Sequence, residues 1–203
     1  MRHGASGTTT PAGRLVFLVG PSGSGKDSLI EAARGQLMAN GVRIAKRVIT
    51  RSAEARGEDA HGVSPERFEE MQAAGAFAMH WQANGLAYGI PAQVDDWLAA
   101  GYPVLVNGSR GYLAEARRRY PGLLAIRLEV APQVLRQRLL ARGRESALEI
   151  ERRLARSARL QADDDPATHV LDNSASLDTT VTVLLDLLAR EDVIDRVVHA
   201  PAS

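Results

Sequence analysis

A glycine-rich loop between a short apolar run and a helical pattern constrains this chain more than any other feature. The run from Arg14 to Val19 is mainly apolar and rich in β-forming residues, which is typical of a buried strand. The loop Gly20-Pro-Ser-Gly-Ser-Gly-Lys26 follows directly, and apolar residues then recur at helical spacing from Leu29 to Leu37. This order places a helix N-terminus at the end of a buried strand. Such an arrangement binds phosphate groups, because the helix N-terminus and the glycine-rich backbone both favour anions.

The spacing Gly20-x-x-x-x-Gly25-Lys26 fits the Walker A pattern of phosphate-binding loops. We expect Lys26 to reach the β- and γ-phosphates of ATP and to stabilise charge as a phosphoryl group moves. Only Lys26 and Lys46 are lysines among the 25 basic residues, so a lysine in this loop is distinctive. A glycine-rich turn without function is the alternative, and the flanking strand and helix argue against it. The predicted nucleotide-binding residues are Gly20, Pro21, Ser22, Gly23, Ser24, Gly25, Lys26, Asp27 and Ser28.

The residue after the lysine departs from the Walker A pattern. A Ser or Thr hydroxyl normally binds Mg²⁺ there, and this chain has Asp27 followed by Ser28. A carboxylate is a good ligand for Mg²⁺, but it also adds negative charge beside the phosphates. Three roles stay open for Asp27: direct metal ligand, ligand through water, or helix cap. Ser28 is the second candidate metal ligand.

Strands and helices alternate along the chain, which predicts an α/β fold with a parallel sheet covered by helices on both faces. We expect a disordered tail over residues 1–13 and a single domain over residues 14–198. Residues 51–90 read as an insertion outside the core. The predicted strands are Arg14–Val19, possibly Val42–Thr50, Pro103–Asn107, Leu123–Val130 and Thr168–Leu171. The predicted helices run from Asp27 to Asn40, Pro65 to about Gly75, Pro91 to Gly101, through Leu113 to Tyr120, Pro132 to about Arg142, Glu145 to about Gln161, and onward from a Ser176 N-cap.

Composition excludes several classes of protein. The net charge of +1 gives no bulk electrostatic case for nucleic acid. The absence of cysteine excludes disulfides and thiolate chemistry and is compatible with a cytoplasmic protein. No apolar run approaches the roughly 20 residues of a membrane span. We therefore expect small-molecule partners rather than nucleic acid or membrane.

The phosphate loop resembles that of guanylate kinases, and two further stretches follow in the same order. Thr50-Arg51 with Arg56-Gly57-Glu58 resembles the acceptor-binding stretch, and Arg142-Gly143 with Arg153-Leu154 resembles the lid, which covers about residues 136–160. The chain departs from guanylate kinases in its arginine spacing, in a tyrosine replaced by Val63-Ser64, and in Asn107 where an aspartate is expected. A site built to hydrogen-bond guanine rejects other acceptors, so these departures suggest a different acceptor.

The chain is more similar to the ribose 1,5-bisphosphate phosphokinases of phosphonate degradation, over nearly its whole length. The segments that carry this resemblance include Lys26-Asp-Ser28, Ile49-Thr-Arg51, Trp81 to Gly89, Val104 to Arg110, and Leu135 to Leu139 with Arg142 to Glu145. The resemblance implies a guanylate-kinase-like P-loop fold with an acceptor-binding insertion and a helical lid. It also implies that ribose 1,5-bisphosphate and ATP are converted to 5-phospho-α-D-ribosyl 1-diphosphate and ADP, with Mg²⁺ as the metal.

Candidate acceptor-binding residues follow from this reading. A bisphosphorylated acceptor requires bidentate cations, which Arg51 and Arg56 provide, and Glu58 is placed to receive a sugar hydroxyl. Tyr88 lies where guanylate kinases contact their acceptor. Side chains at the carboxyl end of a parallel strand face the ligand crevice, which predicts the same role for Asn107 and Arg110. The predicted catalytic residues are Lys26 and the lid arginines Arg142 and Arg153.

Three other functions remain as alternatives. A guanylate kinase, or another small-molecule kinase of this superfamily, differs only in its acceptor. A non-catalytic module that binds a protein partner would generally lose the phosphate loop, and here Gly25 and Lys26 are intact. A nucleotide hydrolase acting as a switch requires a strand that ends in Asp, and the strand Val104–Asn107 ends in Asn.

Overall fold

The structure is a computed structural model that describes residues 13–51, 60–143, 146–161 and 166–195; within these ranges, the side chains of Arg142 and of residues 156–161 are not described. The described strands are β1 (Leu15–Val19), β2 (Arg43–Ala45), β3 (Arg47–Thr50), β4 (Ala60–Val63), β5 (Phe77–Ala83), β6 (Leu86–Pro91), β7 (Val104–Asn107), β8 (Leu124–Glu129) and β9 (Thr168–Asp172). The described helices are α1 (Lys26–Ala39), α2 (Pro65–Ala73), α3 (Gln93–Ala99), α4 (Leu113–Arg119), α5 (Pro132–Arg142), α6 (Ala147–Gln161) and α7 (Leu177–Arg190).

The main sheet has five parallel strands in the order β2-β7-β1-β8-β9. All five side chains of β1 are buried, because helices cover both faces of the sheet. Val16 and Leu18 belong to an apolar cluster with α1 and α7. Phe17 and its neighbours on the opposite face belong to a second cluster with α3 and α4. The predicted parallel α/β fold is therefore confirmed, and β1 is the middle strand of the main sheet.

The second sheet has four strands in the order β4-β3-β6-β5 and occupies the segment between β2 and α3. The single strand predicted over residues 42–50 is wrong: β2 pairs with β7 in the main sheet, whereas β3 pairs with β4 and β6 in the second. The chain changes sheets at Lys46, which is exposed. The expectation that residues 51–90 lie outside the core is also wrong in part. Met79 and Ile90 are fully buried and pack in the same cluster as Phe17.

The helix predicted to begin at Pro91 begins two residues later. Pro91 is the last residue of β6, where it pairs with Phe77 of β5, and α3 starts at Gln93. Proline is a good first residue for a helix, but here Pro91 is held in the β5–β6 hairpin by its pairing with Phe77. This strand pairing therefore determines where β6 ends and α3 can begin.

The helices α5 and α6 form a pair at the edge of the main sheet. Val130, Leu135, Leu139 and Ile150 make a small apolar cluster between them. A capping box begins α6: Glu149 Oε2 accepts hydrogen bonds from the Ser146 hydroxyl and from the Ser146 backbone N–H, both at 2.7 Å. These two bonds lower the pKa of Glu149. The result is a compact helical unit beside the phosphate loop. None of the helices in the described ranges is long and apolar enough to cross a membrane.

Candidate active site

The phosphate loop joins β1 to α1, as the sequence predicts. Gly25 is the N-cap of α1 with a φ of 92°, a conformation that residues with side chains rarely adopt. A Cβ atom at this position would also lie 2.8 Å from Asn173 Nδ2, so both backbone and space require glycine. Lys26 is the first residue of the helix, and its ammonium donates to the carbonyl oxygens of Gly20 at 2.8 Å and Pro21 at 3.2 Å. The charge of Lys26 therefore lies against the loop that precedes it.

Three side chains that the sequence analysis did not single out hold this loop from behind. Asn173 is 2% exposed, and its Nδ2 donates to the carbonyl oxygen of Ser24 at 2.7 Å. The Thr180 hydroxyl donates to Asn173 Oδ1 at 2.9 Å, and Arg138 Nη2 donates to the Asn173 carbonyl oxygen at 2.8 Å. Asn173 directly follows β9, so the rule that pointed to Asn107 at the end of β7 also applies to it.

Replacing Asn173 with leucine should destabilise the protein by about 1–3 kcal/mol, because the buried Ser24 carbonyl loses the bond from Asn173, while the Thr180 hydroxyl keeps only its 3.2 Å bond to the Ser176 carbonyl oxygen. Urea unfolding would measure the loss. The matched variants are Thr180→Val and the double variant. We expect the double variant to lose less than the sum of the two single losses, since removing both partners leaves one fewer unpaired group. Additive losses would contradict the coupling.

The carboxylate of Asp27 is held by two residues of other elements. Asn107 Nδ2 donates to Asp27 Oδ1 at 2.7 Å, and Arg47 Nη2 lies 3.4 Å from the same oxygen. Arg47 Nη1 also donates to the Asn107 carbonyl oxygen at 3.3 Å. The N-cap of α1 is Gly25 rather than Asp27, so these contacts, and not a capping bond, orient the carboxylate. The sequence analysis missed Arg47, which it placed in a possible strand over residues 42–50 without giving it a role.

The oxygen atoms beside the loop suit a hard divalent cation. The Asp27 side chain is 42% exposed, and Asn107 Oδ1 is buried without a hydrogen-bond partner among the described residues. Ser28 is exposed at the next position of α1. In the described ranges, no group of three or more His, Asp or Glu side chains could hold a metal. This donor set fits Mg²⁺, which commonly binds one or two carboxylates together with substrate phosphates.

A cavity of about 530 Å³ opens between α1, β2 and β3, next to the phosphate loop. Its lining includes three cationic side chains, Arg34, Lys46 and Arg47, and two carboxylates, Asp27 and Glu31. Arg34 is paired with Glu31 at 2.8 Å, and Asp27 lies beside Arg47. Lys46 is the third cationic side chain of this lining. Three cations and two carboxylates suit an anionic ligand beside the first turns of α1.

The second sheet brings the predicted acceptor residues to the same side. Arg51 directly follows β3 and is half-buried. Tyr88 of β6 stacks on Trp81 with ring centroids 5.7 Å apart, and the Arg47 guanidinium lies 5.6 Å from the Tyr88 ring centroid. Arg56 and Glu58 lie outside the described residues.

Arg110 begins a short 3₁₀ turn (Arg110–Tyr112) just after β7. Burial lowers the pKa of its guanidinium, and the nearby charge of Arg127 lowers it further. Glu129 opposes this effect, and it also pairs with Arg127 at 2.8 Å. Arg110 therefore lies at the carboxyl end of β7, as predicted. A second arginine, Arg127, is close enough to affect its pKa.

The helices α5 and α6 contact the phosphate loop, and one of the contacts involves a predicted arginine. Arg153 Nη1 of α6 donates to the Ser22 hydroxyl at 2.7 Å. The side chains of Leu135 and Leu139 of α5 lie so close to Gly23 that a Cβ there would meet them at 3.2 and 3.0 Å. Arg142 ends α5, and its side chain lies outside the described part of the chain.

Comparison with a solved structure supports the fold. A guanylate kinase from Anaplasma phagocytophilum superposes with a TM-score of 0.69 over 92% of this chain and 89% of that one, at 19% sequence identity. At this identity the likeness concerns the fold alone.

No family model matches the chain. Curated relatives, in contrast, are much more similar to it in sequence than this solved structure is. A protein of Azotobacter vinelandii named ribose 1,5-bisphosphate phosphokinase PhnN is 65% identical over 178 residues, which are 88% of this chain and 97% of that protein. A protein of the same name from Pseudomonas paraeruginosa is 65% identical over 85% of this chain and 94% of the relative. Another, from Thiobacillus denitrificans, is 45% identical over 91% of this chain and 97% of the relative. Identity at this level over nearly the full length of both proteins, on a guanylate-kinase-like fold with an intact phosphate loop, means that the chain belongs to the ribose 1,5-bisphosphate phosphokinase PhnN family.

Proposed function

We propose that this protein transfers the γ-phosphoryl group of ATP to ribose 1,5-bisphosphate, giving 5-phospho-α-D-ribosyl 1-diphosphate and ADP. The observation that carries the proposal is the 65% identity, over 88% of the chain, to a relative with that activity in its name. The site is compatible with it, because a cavity with three cationic side chains opens beside the first turns of α1, the helix that begins at the loop lysine.

The nucleophile is a phosphate oxygen on carbon 1 of the ribose. This oxygen is already anionic, so the reaction requires no strong general base. It forms a new P–O bond to the γ-phosphorus while the bond from that phosphorus to the β–γ bridging oxygen breaks, and ADP leaves with the electron pair. Catalysis then depends on aligning two anions in line and neutralising their charge.

Lys26 supplies the mobile positive charge of the phosphate loop and follows the γ-phosphoryl group as it moves. When bound with the nucleotide, Mg²⁺ would supply positive charge that neutralises phosphate oxygens. Asp27 and Ser28 would hold this ion, directly or through water, and the side-chain oxygen Oδ1 of Asn107 is a third hard donor on a residue that contacts Asp27. Arg47, which contacts Asp27, offsets the extra negative charge that the carboxylate brings to the loop.

We assign the acceptor to residues 51–90 and the lid to residues 136–160 of one domain spanning residues 14–198. In this proposal Arg51 and Arg56 bind acceptor phosphates, and Glu58 accepts a hydrogen bond from a sugar hydroxyl. The other acceptor-binding residues are Tyr88, Asn107 and Arg110. Arg142 and Arg153 stabilise the moving phosphoryl group when α5 and α6 lie over the loop. Lid closure also excludes water, which would otherwise hydrolyse ATP.

An ADP-release assay with Mg-ATP tests the proposal against a panel of acceptors: ribose 1,5-bisphosphate, ribose 5-phosphate, GMP and gluconate. We expect turnover on ribose 1,5-bisphosphate alone, with a sugar diphosphate product identified by ³¹P NMR. Turnover on GMP instead would make the protein a divergent guanylate kinase. Release of ADP at the same rate without any acceptor would favour a nucleotide hydrolase, and either result contradicts the proposal.

A further inference from the structure

We propose that Trp81 is a positioning residue for the acceptor, because its ring fixes the distance between the two halves of the acceptor pocket. One half is Tyr88 on the second sheet, and the other is the end of β7 with Asn107 and Arg110. The inference rests on the proposed function, which assigns these three residues to acceptor binding, and it adds a residue that acts through them.

The Trp81 ring contacts one residue of the second sheet and one residue of the turn after β7. It stacks on Tyr88 with ring centroids 5.7 Å apart and 6° between the ring planes. Trp81 and Tyr88 are paired across β5 and β6, so their side chains lie on the same face of the sheet. The Trp81 ring also lies 5.5 Å from the ring of Tyr112, which ends the 3₁₀ turn that Arg110 begins. One side chain therefore joins the two halves of the pocket.

A hydrogen bond holds the same turn against β5. The backbone N–H of His80, the residue before Trp81, donates to the Tyr112 hydroxyl. Burial raises the pKa of Tyr112, and this hydrogen bond opposes the rise. The rings of Trp81 and Tyr112 also pack against one apolar cluster, whose members include Val106 of β7. The turn that carries Arg110 is therefore attached to β5 both through a ring contact and through a hydrogen bond.

Side chains, rather than backbone pairing, determine the distance between the two halves. The main sheet contains β7, the second sheet contains β5 and β6, and no pairing joins the described strands of one sheet to those of the other. Loss of the Trp81 ring would therefore let Tyr88 shift relative to the end of β7. A displacement of about 1 Å can cost about 100-fold where groups must be aligned on a substrate.

Calorimetric titration and steady-state kinetics test this assignment in Trp81→Leu and in a matched control, Trp97→Leu. Trp97 of α3 is the other tryptophan of the chain, and it is half-buried against the same apolar cluster. We expect both variants to lose stability, as measured by urea unfolding. Only Trp81→Leu should weaken the binding of ribose 1,5-bisphosphate, by about 10- to 100-fold, with a matching rise in its KM. The affinity for ADP should be unchanged in both variants.

Two further variants separate the ring contact from general packing. Trp81→Phe keeps an aromatic ring at this position and should retain most of the affinity for ribose 1,5-bisphosphate. Tyr112→Leu removes the other ring of the contact, so it should weaken the bisphosphate and leave ADP binding unchanged, and it serves as the test if Trp81→Leu does not fold. The double variant should bind little more weakly than either single one, because each substitution already breaks the same contact.

The outcomes are distinguishable. Unchanged affinity for ribose 1,5-bisphosphate in a folded Trp81→Leu or Tyr112→Leu variant overturns the inference and leaves the proposed function standing. An equal loss of affinity in Trp97→Leu has the same consequence, because it would mean that packing of the whole cluster supports the pocket. A wild-type protein that does not bind ribose 1,5-bisphosphate overturns the proposed function, and the inference with it.

Discussion

We expect the replacement of Lys26 with methionine to lower the rate of phosphoryl transfer by about a thousandfold and to leave the fold intact. Methionine has nearly the length of lysine without its charge, so the variant removes the ammonium while filling the same space. The loss should appear mainly in kcat, because the charge on the transferring oxygens grows towards the transition state. In the structure the ammonium donates hydrogen bonds to the carbonyl oxygens of Gly20 and Pro21 in its own loop.

Steady-state kinetics with saturating Mg-ATP and ribose 1,5-bisphosphate, together with thermal unfolding, would measure both effects. Arg190→Met is the matched control, because it removes one exposed positive charge at the end of α7, far along the chain from the loop. A Lys26→Met variant with kcat within tenfold of wild type would falsify the role of this lysine. An unfolded variant would instead point to a structural role, and Lys26→Arg would then be the second variant to compare.

The second large effect is expected at Arg153. Replacing it with methionine should lower kcat about 1,000-fold, the lower end of the range associated with an arginine that stabilises a transferring phosphoryl group. Arg153 Nη1 already lies 2.7 Å from the Ser22 hydroxyl of the phosphate loop, so little movement is needed to reach the nucleotide phosphates. The KM for ATP should change less than kcat, since the stabilised charge develops during transfer.

Arg152→Met provides a closely matched control, because Arg152 is the preceding residue of the same helix and is exposed. We expect it to retain wild-type kcat. Arg153→Lys should recover part of the activity, because it keeps the charge but not the planar, multidentate group. Equal losses in Arg152→Met and Arg153→Met would mean that general charge on α6, rather than one positioned guanidinium, supports catalysis.

Several elements could be predicted from the sequence because their signals are local. Helix α5 runs from Pro132 to Arg142 as expected, bounded by a proline at its start and by Gly143 with a φ of 62° after its end. Ser64 and Ser176 cap their helices as predicted, each accepting a hydrogen bond at 3.2 Å from the backbone N–H three residues further along the chain.

The errors occurred where pairing between strands far apart in the sequence determines the bounds of an element. Neither the change of sheet at Lys46 nor the strand ending at Pro91 has a signal within a few residues.

The sequence by itself determined the phosphate loop, the alternation of strands and helices, and the lysine and lid arginine expected to act on a phosphoryl group. These features depend on residues close together in the chain, and glycine spacing, capping and periodicity record them directly. Only the tertiary structure decided that Arg47, Asp27 and Asn107 meet beside one cavity, and that Asn173 supports the loop from the end of β9. These residues come from strands and a helix separated by 20 to 149 positions. Parallel strands bring their carboxyl ends to one edge whatever their distance in sequence, so a single chain read in order contains no direct record of which side chains meet there.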